Sequence, residues 1–227
     1  MNEQRRKSFV EPHPSRSTRK ISWRSRASCR GTIVLRLQER QQIVVYESLL
    51  ELMCVLMICS RNDVVDVWDQ PSPVPYSLPD GSQHEHTFDY HVTLSDQLRY
   101  AVAIKPVAQI EKYGFDLTLG YIRAALPGQF ADEVILMSEA DFTRAQAINA
   151  QRYHEFSKNL DEEAERKIVR TAICQSRPTT LASLIDLSGL GRRGFRAGFC
   201  AIIQGRLNAL TVGKIGLQTV VSPELPV

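Results

Sequence analysis

The chain has 227 residues, enough for one large domain or two small ones with cores of their own, and its 43% apolar and 23% charged residues are those of an ordinary globular protein. The longest apolar run, residues 52–58, is far too short to cross a bilayer, and no secretory leader is read at the start, so no membrane contact and a cytoplasmic location are expected. Five cysteines, odd in number and never spaced C-x-x-C, argue against a disulfide framework and against a zinc ribbon. The net charge of +3 hides an asymmetry: residues 1–40 carry 11 Lys and Arg against 3 Asp and Glu, or +8, which leaves −5 for the rest.

Residues 1–31 are rich in Arg, Ser and Pro and show no period, which reads as a basic, extended or disordered arm. Its cations, Arg19, Lys20, Arg24 and Arg26 among them, suit salt-dependent, sequence-blind contacts with phosphates, and a solvated tail is the alternative. Short β segments follow at 33–37 and 43–46. Residues 47–59 then predict a helix apolar nearly all round and therefore buried, with Glu47 and Glu51 four apart on one face. Charge is expensive there unless something compensates it, and a bound cation would.

Strands are predicted at 63–68 and around 74–78, with a turn at Pro79-Asp80-Gly81. Alternation over 84–92 predicts one strand, with His84, His86, Phe88, Tyr90 and Val92 on one face and Glu85, Thr87, Asp89 and His91 on the other. The next strand, 98–104, delivers Lys105 before Pro106 stops it. A helix over 107–126 interrupted by Gly114 and Gly120, a strand at 133–137, a cap at Ser138-x-x-Asp141 and a helix to about Phe156 complete a first domain, residues 32–157. Residues 158–227 predict helices over 160–175, 181–187 and 193–204 and a two-stranded wing over 206–221, the pattern of a winged helix-turn-helix domain. Arg192, Arg193 and Arg196 open its third helix, where phosphate or base contact is natural, although such domains also dock proteins.

Glu51, Asp89 and the triplet Ala103-Ile104-Lys105 stand in the order in which restriction-like nucleases place an early helical Glu, a strand Asp and an acid-x-Lys triplet. The surrounding strings extend the match: Tyr46-Glu47-Ser48-Leu49-Leu50-Glu51, Asp69-Gln70-Pro71, Thr87-Phe88-Asp89-Tyr90 and Ala103-Ile104-Lys105-Pro106. Over residues 40–140 the chain thereby resembles the catalytic domain of TnsA-type transposon nucleases, of the PD-(D/E)xK superfamily. The resemblance implies an α/β restriction-endonuclease-like mixed sheet flanked by helices. It implies Mg²⁺ or Mn²⁺ held by Glu51, Asp89 and the Ile104 carbonyl, with Lys105 serving the nucleophile. It also implies double-stranded DNA as substrate, cut at a mobile element's end beside a transposase partner.

One position departs from the family pattern. Ala103 stands where the family supplies an acidic or amide oxygen, so water, Gln109 or Glu111 would have to substitute. The alternative is a catalytically reduced nuclease fold that binds DNA or a partner. A purely structural account pairs Glu51 with Arg61 or Arg99 and leaves Lys105 as an edge-blocking charge. His84, His86 and His91 around Asp89 raise a zinc or copper site, against which the predicted alternation puts His91 on the far face.

Overall fold

In the computed structural model, which describes residues 10–19, 29–38 and 40–223, the first β segments pair as a hairpin, β1 (Gly31–Leu37) with β2 (Arg40–Tyr46). Gly31 faces Tyr46 so closely that an added Cβ would stand 2.5 Å from its hydroxyl oxygen. Helix α1 (Leu49–Cys59) begins two residues later than the sequence suggests, because Ser48 caps it by accepting from the Glu51 N–H. Cys54, Val55, Leu56 and Cys59 of α1 are buried against one face of a four-stranded sheet.

That sheet has the order β3-β6-β7-β8, from β3 (Val64–Asp69), β6 (Tyr90–Leu94), β7 (Arg99–Ile104) and β8 (Glu133–Met137). The single strand expected over 84–92 is two: β5 (Gln83–His86) pairs with β4 (Val74–Ser77) in a separate hairpin, and β6 joins the sheet. Between them the chain breaks at 87–89. Phe88 enters the cluster formed with Val74, Ala101 and Ala103, whereas Tyr90 enters the α1-side cluster with Val102 and Ile104. In an unbroken strand these two side chains would share a face. The break also overturns the expected position of His91: paired with Ala101 and in edge contact with Phe130, it lies on the same side as His86, whose ring meets Phe88.

β7 and β8 run parallel, which requires a crossover, and α2 (Val107–Tyr113) and α3 (Phe115–Ala125) supply it. The helical stretch is divided at Gly114, left-handed at φ 57°, and not at Gly120, which stays inside α3. Ser138 and Asp141 close a turn on each other instead of capping a helix. The cap of α4 (Arg144–Ser157) is Thr143, in a reciprocal capping box with Gln146.

A second core gathers Ile168 of α5 (Glu162–Ile173), Leu181 and Leu184 of α6 (Leu181–Ser188), Phe199 of α7 (Arg192–Ile203) and Leu207. A small sheet of β9 (Thr179–Thr180), β10 (Leu207–Ala209) and β11 (Val220–Pro223), in the order β10-β11-β9, closes it. The molecule is thus mixed α/β. Helix α4 belongs to both cores: Ala150 is buried in the first, while Tyr153 and Phe156 pack in the second. Asn149 donates to Gly213 O and accepts from Ile215 N, and Asn62 donates to Gln204 O. Among the described residues no helix is long and apolar enough to cross a membrane.

The shared helix predicts one cooperative unfolding transition. Phe199, fully buried with its ring 5.3 Å from that of Phe156, is the probe. Phe199→Ala should cost about 3–5 kcal/mol. In a Trp23→Phe background, fluorescence of Trp68, on strand β3 beside the other core, should report the same lowered urea midpoint as circular dichroism.

Candidate functional site

Glu51 lies at the first turn of α1, half-buried, and its carboxylate is well engaged. Oε1 accepts from Ser48 Oγ at 2.9 Å and Oε2 from the Glu47 N–H at 2.7 Å, so this side chain also completes the helix cap. Each oxygen keeps a second lone pair. Neither arginine offered as a partner reaches it: Arg61 is taken by Asp63 and Arg99 by Asp132. Arg19, from the basic arm, pairs at 3.0 Å with Glu47 instead.

Asp89 sits in the break before β6. Its backbone N–H donates to Val102 O and its Oδ2 accepts from the Ile104 N–H at 2.6 Å. Burial pushes its carboxyl up to about 6; the Lys105 ammonium opposes this, Glu51 adds to it, the Ile104 hydrogen bond opposes it and Glu47 adds a little more. The charges of Glu51 and Lys105 thus both act on Asp89. Lys105 leaves β7 with its backbone N–H on Met137 O and its ammonium 5.5 Å above the Phe115 ring. His86 touches the same ring, and burial followed by the Lys105 charge holds it neutral, with its pKa down to about 4.

Ala103 is fully buried in the cluster that Phe115 also packs against, among Leu119, Ile122 and Val134, so the register uses this position for packing under α3. Gln109 and Glu111, the suggested substitutes, are exposed on α2. Two acids that the sequence reading did not assign to the site, Glu139 and Asp141, act on a neighbouring buried thiol. The buried Cys54 thiol is pushed up to about 12, by burial first and then by the charges of Asp141, Asp89, Glu51 and Glu139. Glu139 accepts from the Val107 N–H with both oxygens. Their only signal in sequence was proximity to a strand end, since residues 138–141 read as a helix cap.

Among the described residues no group of three or more His, Cys, Asp or Glu side chains is pre-assembled for a metal ion. The donors nevertheless suit a hard divalent cation, being carboxylate and main-chain oxygens beside a thiol that stays protonated. Among the described residues, Arg19 pairs with Glu47 and the Lys105 charge opposes but does not cancel the rise of the buried Asp89 carboxyl, which a cation would relieve.

Of the other cations, Lys20, Arg24 and Arg26 lie outside the described residues. Arg193 is held by Asp161 and Glu163, and Arg196 stacks 5.1 Å over Phe156 and donates to Asn159 O, so both are engaged within the protein. Arg192 is exposed. No protein-family model matches this chain, and no curated protein matches it in sequence.

Two outcomes test this geometry. Between the ordinary aspartate value near 4 and about 6, native Asp89 holds a proton that the unfolded chain has released, so its contribution to stability falls as pH rises. Asp89→Asn should remove that slope and leave the protein about 1–3 kcal/mol more stable at pH 7, read from urea midpoints at pH 4.5 and 7. Ala103→Glu should not supply an oxygen to the site but bury a charge against Leu119 and Ile122, lowering stability by about 2–4 kcal/mol in thermal melts.

Proposed function

We propose that this chain is a metal-dependent DNA endonuclease of the TnsA type, with a restriction-endonuclease-like core followed by a winged-helix unit. The observation that supports the reading is the Asp89 carboxyl at the end of β7, buried, bonded to the Ile104 N–H and acted on by the opposed charges of Lys105 and Glu51. The order of α5, α6, α7 and the small sheet supports the winged-helix reading.

Glu51, Asp89 and the Ile104 carbonyl are the residues that would hold Mg²⁺ or Mn²⁺. When bound, such an ion polarises a phosphodiester and acidifies water. The Ile104 N–H fixes the Asp89 carboxylate against rotation, and the Ser48 hydroxyl and Glu47 N–H do the same for Glu51. Lys105, braced on the Phe115 ring, offers its ammonium to the scissile phosphate and orients the attacking water. Arg192 and the basic arm contact the backbone of double-stranded DNA in a cytoplasmic setting. Cleavage falls at the end of a mobile element, a transposase partner making the other cut.

A second reading, a catalytically reduced nuclease fold that binds DNA or a partner, is favoured by one observation: Ala103 is fully buried in an apolar cluster and contributes no oxygen. Cleavage assays with Mg²⁺ or Mn²⁺, alone and with a candidate transposase partner, separate the two. The nuclease reading expects cutting lost at least 100-fold in Asp89→Ala and in Lys105→Ala, and equal cutting by wild type and Asp89→Ala would refute it. Mn²⁺ uptake should weaken below about pH 6, as protons compete for Asp89. For DNA contact, Arg192→Ala should lower the salt dependence of binding by about 0.9 in log–log slope per phosphate lost. Arg193→Ala should chiefly lower stability, since Asp161 and Glu163 lose their partner.

A further inference from the structure

The arm is anchored where it matters most to the site. His13 joins β2, its N–H donating to Gln41 O and its carbonyl accepting from the Ile43 N–H, both at 2.8 Å. Asp69, fully buried at the end of β3, then accepts from Ser15 Oγ and from the Arg16 N–H, while Val45 N–H fills its remaining side. The next residue, Gln70, is buried in a left-handed conformation at φ 43°, which a side chain adopts only where its surroundings dictate it. The arm supplies those surroundings. Thr18 gives both its N–H and its hydroxyl to Gln70 O at 3.1 Å, and Ser17 Oγ donates to Gln70 Oε1 at 3.0 Å.

What Gln70 does with that constraint is donate its own N–H to Asp89 O at 2.9 Å. One residue further along the arm, Arg19 grips Glu47, whose N–H holds Glu51. Each of the two acids therefore stands one residue away from the arm. Arg16 ties the segment down independently, through Asp66, Val67 O and the face of Trp68.

We infer that residues 15–19 are a positioning strap for the site, which sets the Asp89 carboxylate through Gln70 and the Glu51 carboxylate through Glu47. An element that merely covered the edge strand β3 would need the contacts to Asp66 and Trp68 but not those to Gln70 and Glu47. Because coupling is reciprocal, whatever draws the strap away also loosens the two acids, so a partner that displaces residues 15–19 would regulate the site without touching it. The consequence for cation binding rests on the reading given under Proposed function; the positioning itself does not.

The test uses the full-length, metal-free protein and amide hydrogen exchange, comparing wild type with Ser15→Ala/Ser17→Ala/Thr18→Pro and, as a milder change, with Thr18→Pro alone. The deciding amide is Ile104 N–H, the donor to Asp89, with Leu94 N–H, which donates to Leu98 O on the same sheet, as control. Exchange at Ile104 should rise about tenfold while Leu94 stays within twofold. A Mn²⁺ titration of the same proteins should show about tenfold weaker binding in the variants. Unmoved exchange at Ile104, or equal Mn²⁺ affinity in all three proteins, would overturn the strap's role. Faster exchange with no Mn²⁺ uptake by any of them would keep the strap and remove the cation reading.

Discussion

A carboxylate kept inside the end of a sheet is the costly feature around which this fold is arranged. Asp89 is buried, its carboxyl raised by burial and by the charges of Glu51 and Glu47, and the remedies are partial: one amide at 2.6 Å, the charge of Lys105, and a raised affinity for its own proton. The break at 87–89 is what makes this possible. It sends Phe88 to one face and Tyr90 to the other, and the intervening Asp89, its backbone still bonded to Val102 and Gln70, turns its side chain to the Ile104 N–H.

The surrounding elements follow from the same need for rigidity. Glu51 is fixed by the cap it completes, Gln70 is held in an unfavourable conformation by the arm, and Lys105 rests on Phe115 at the head of the α2–α3 crossover. Apolar packing supplies the backing on both sides, α1 against Val102 and Ile104, and α3 against Ala101 and Ala103. Alanine at 103 is a packing choice in this register, because its side chain is turned towards Leu119 and Ile122.

The carboxy-terminal unit is bound into the same body through α4 and not hung from a linker. Its arginines show why a count of charges misleads: Arg192 and Arg193 are both exposed, but Arg193 is paired with Asp161 and Glu163, and Arg196 lies over the Phe156 ring. Fixed internal ion pairs shape the surface as firmly as apolar contacts do, and they leave a narrower basic face than the Gly191-Arg192-Arg193-Gly194-Phe195-Arg196 string suggests.

Local sequence determined most of the elements here, since an apolar stretch such as that of α1, a Val-rich run such as β3 and a turn such as Pro79-Asp80-Gly81 carry their conformation in a few adjacent residues. It also singled out Glu51, Asp89 and Lys105 by residue type and order. Tertiary structure alone decided that residues 84–92 split between two sheets, because a strand belongs to whichever partners it pairs with, and pairing is non-local. The same holds for His91 changing sides, for Ala103 turning into the core and for Glu139 and Asp141 standing near the site. It holds most of all for the arm: nothing in Ser15-Arg16-Ser17-Thr18-Arg19 announces Asp69 and Gln70 as partners, more than fifty residues away, and only the folded chain brings those donors and acceptors together.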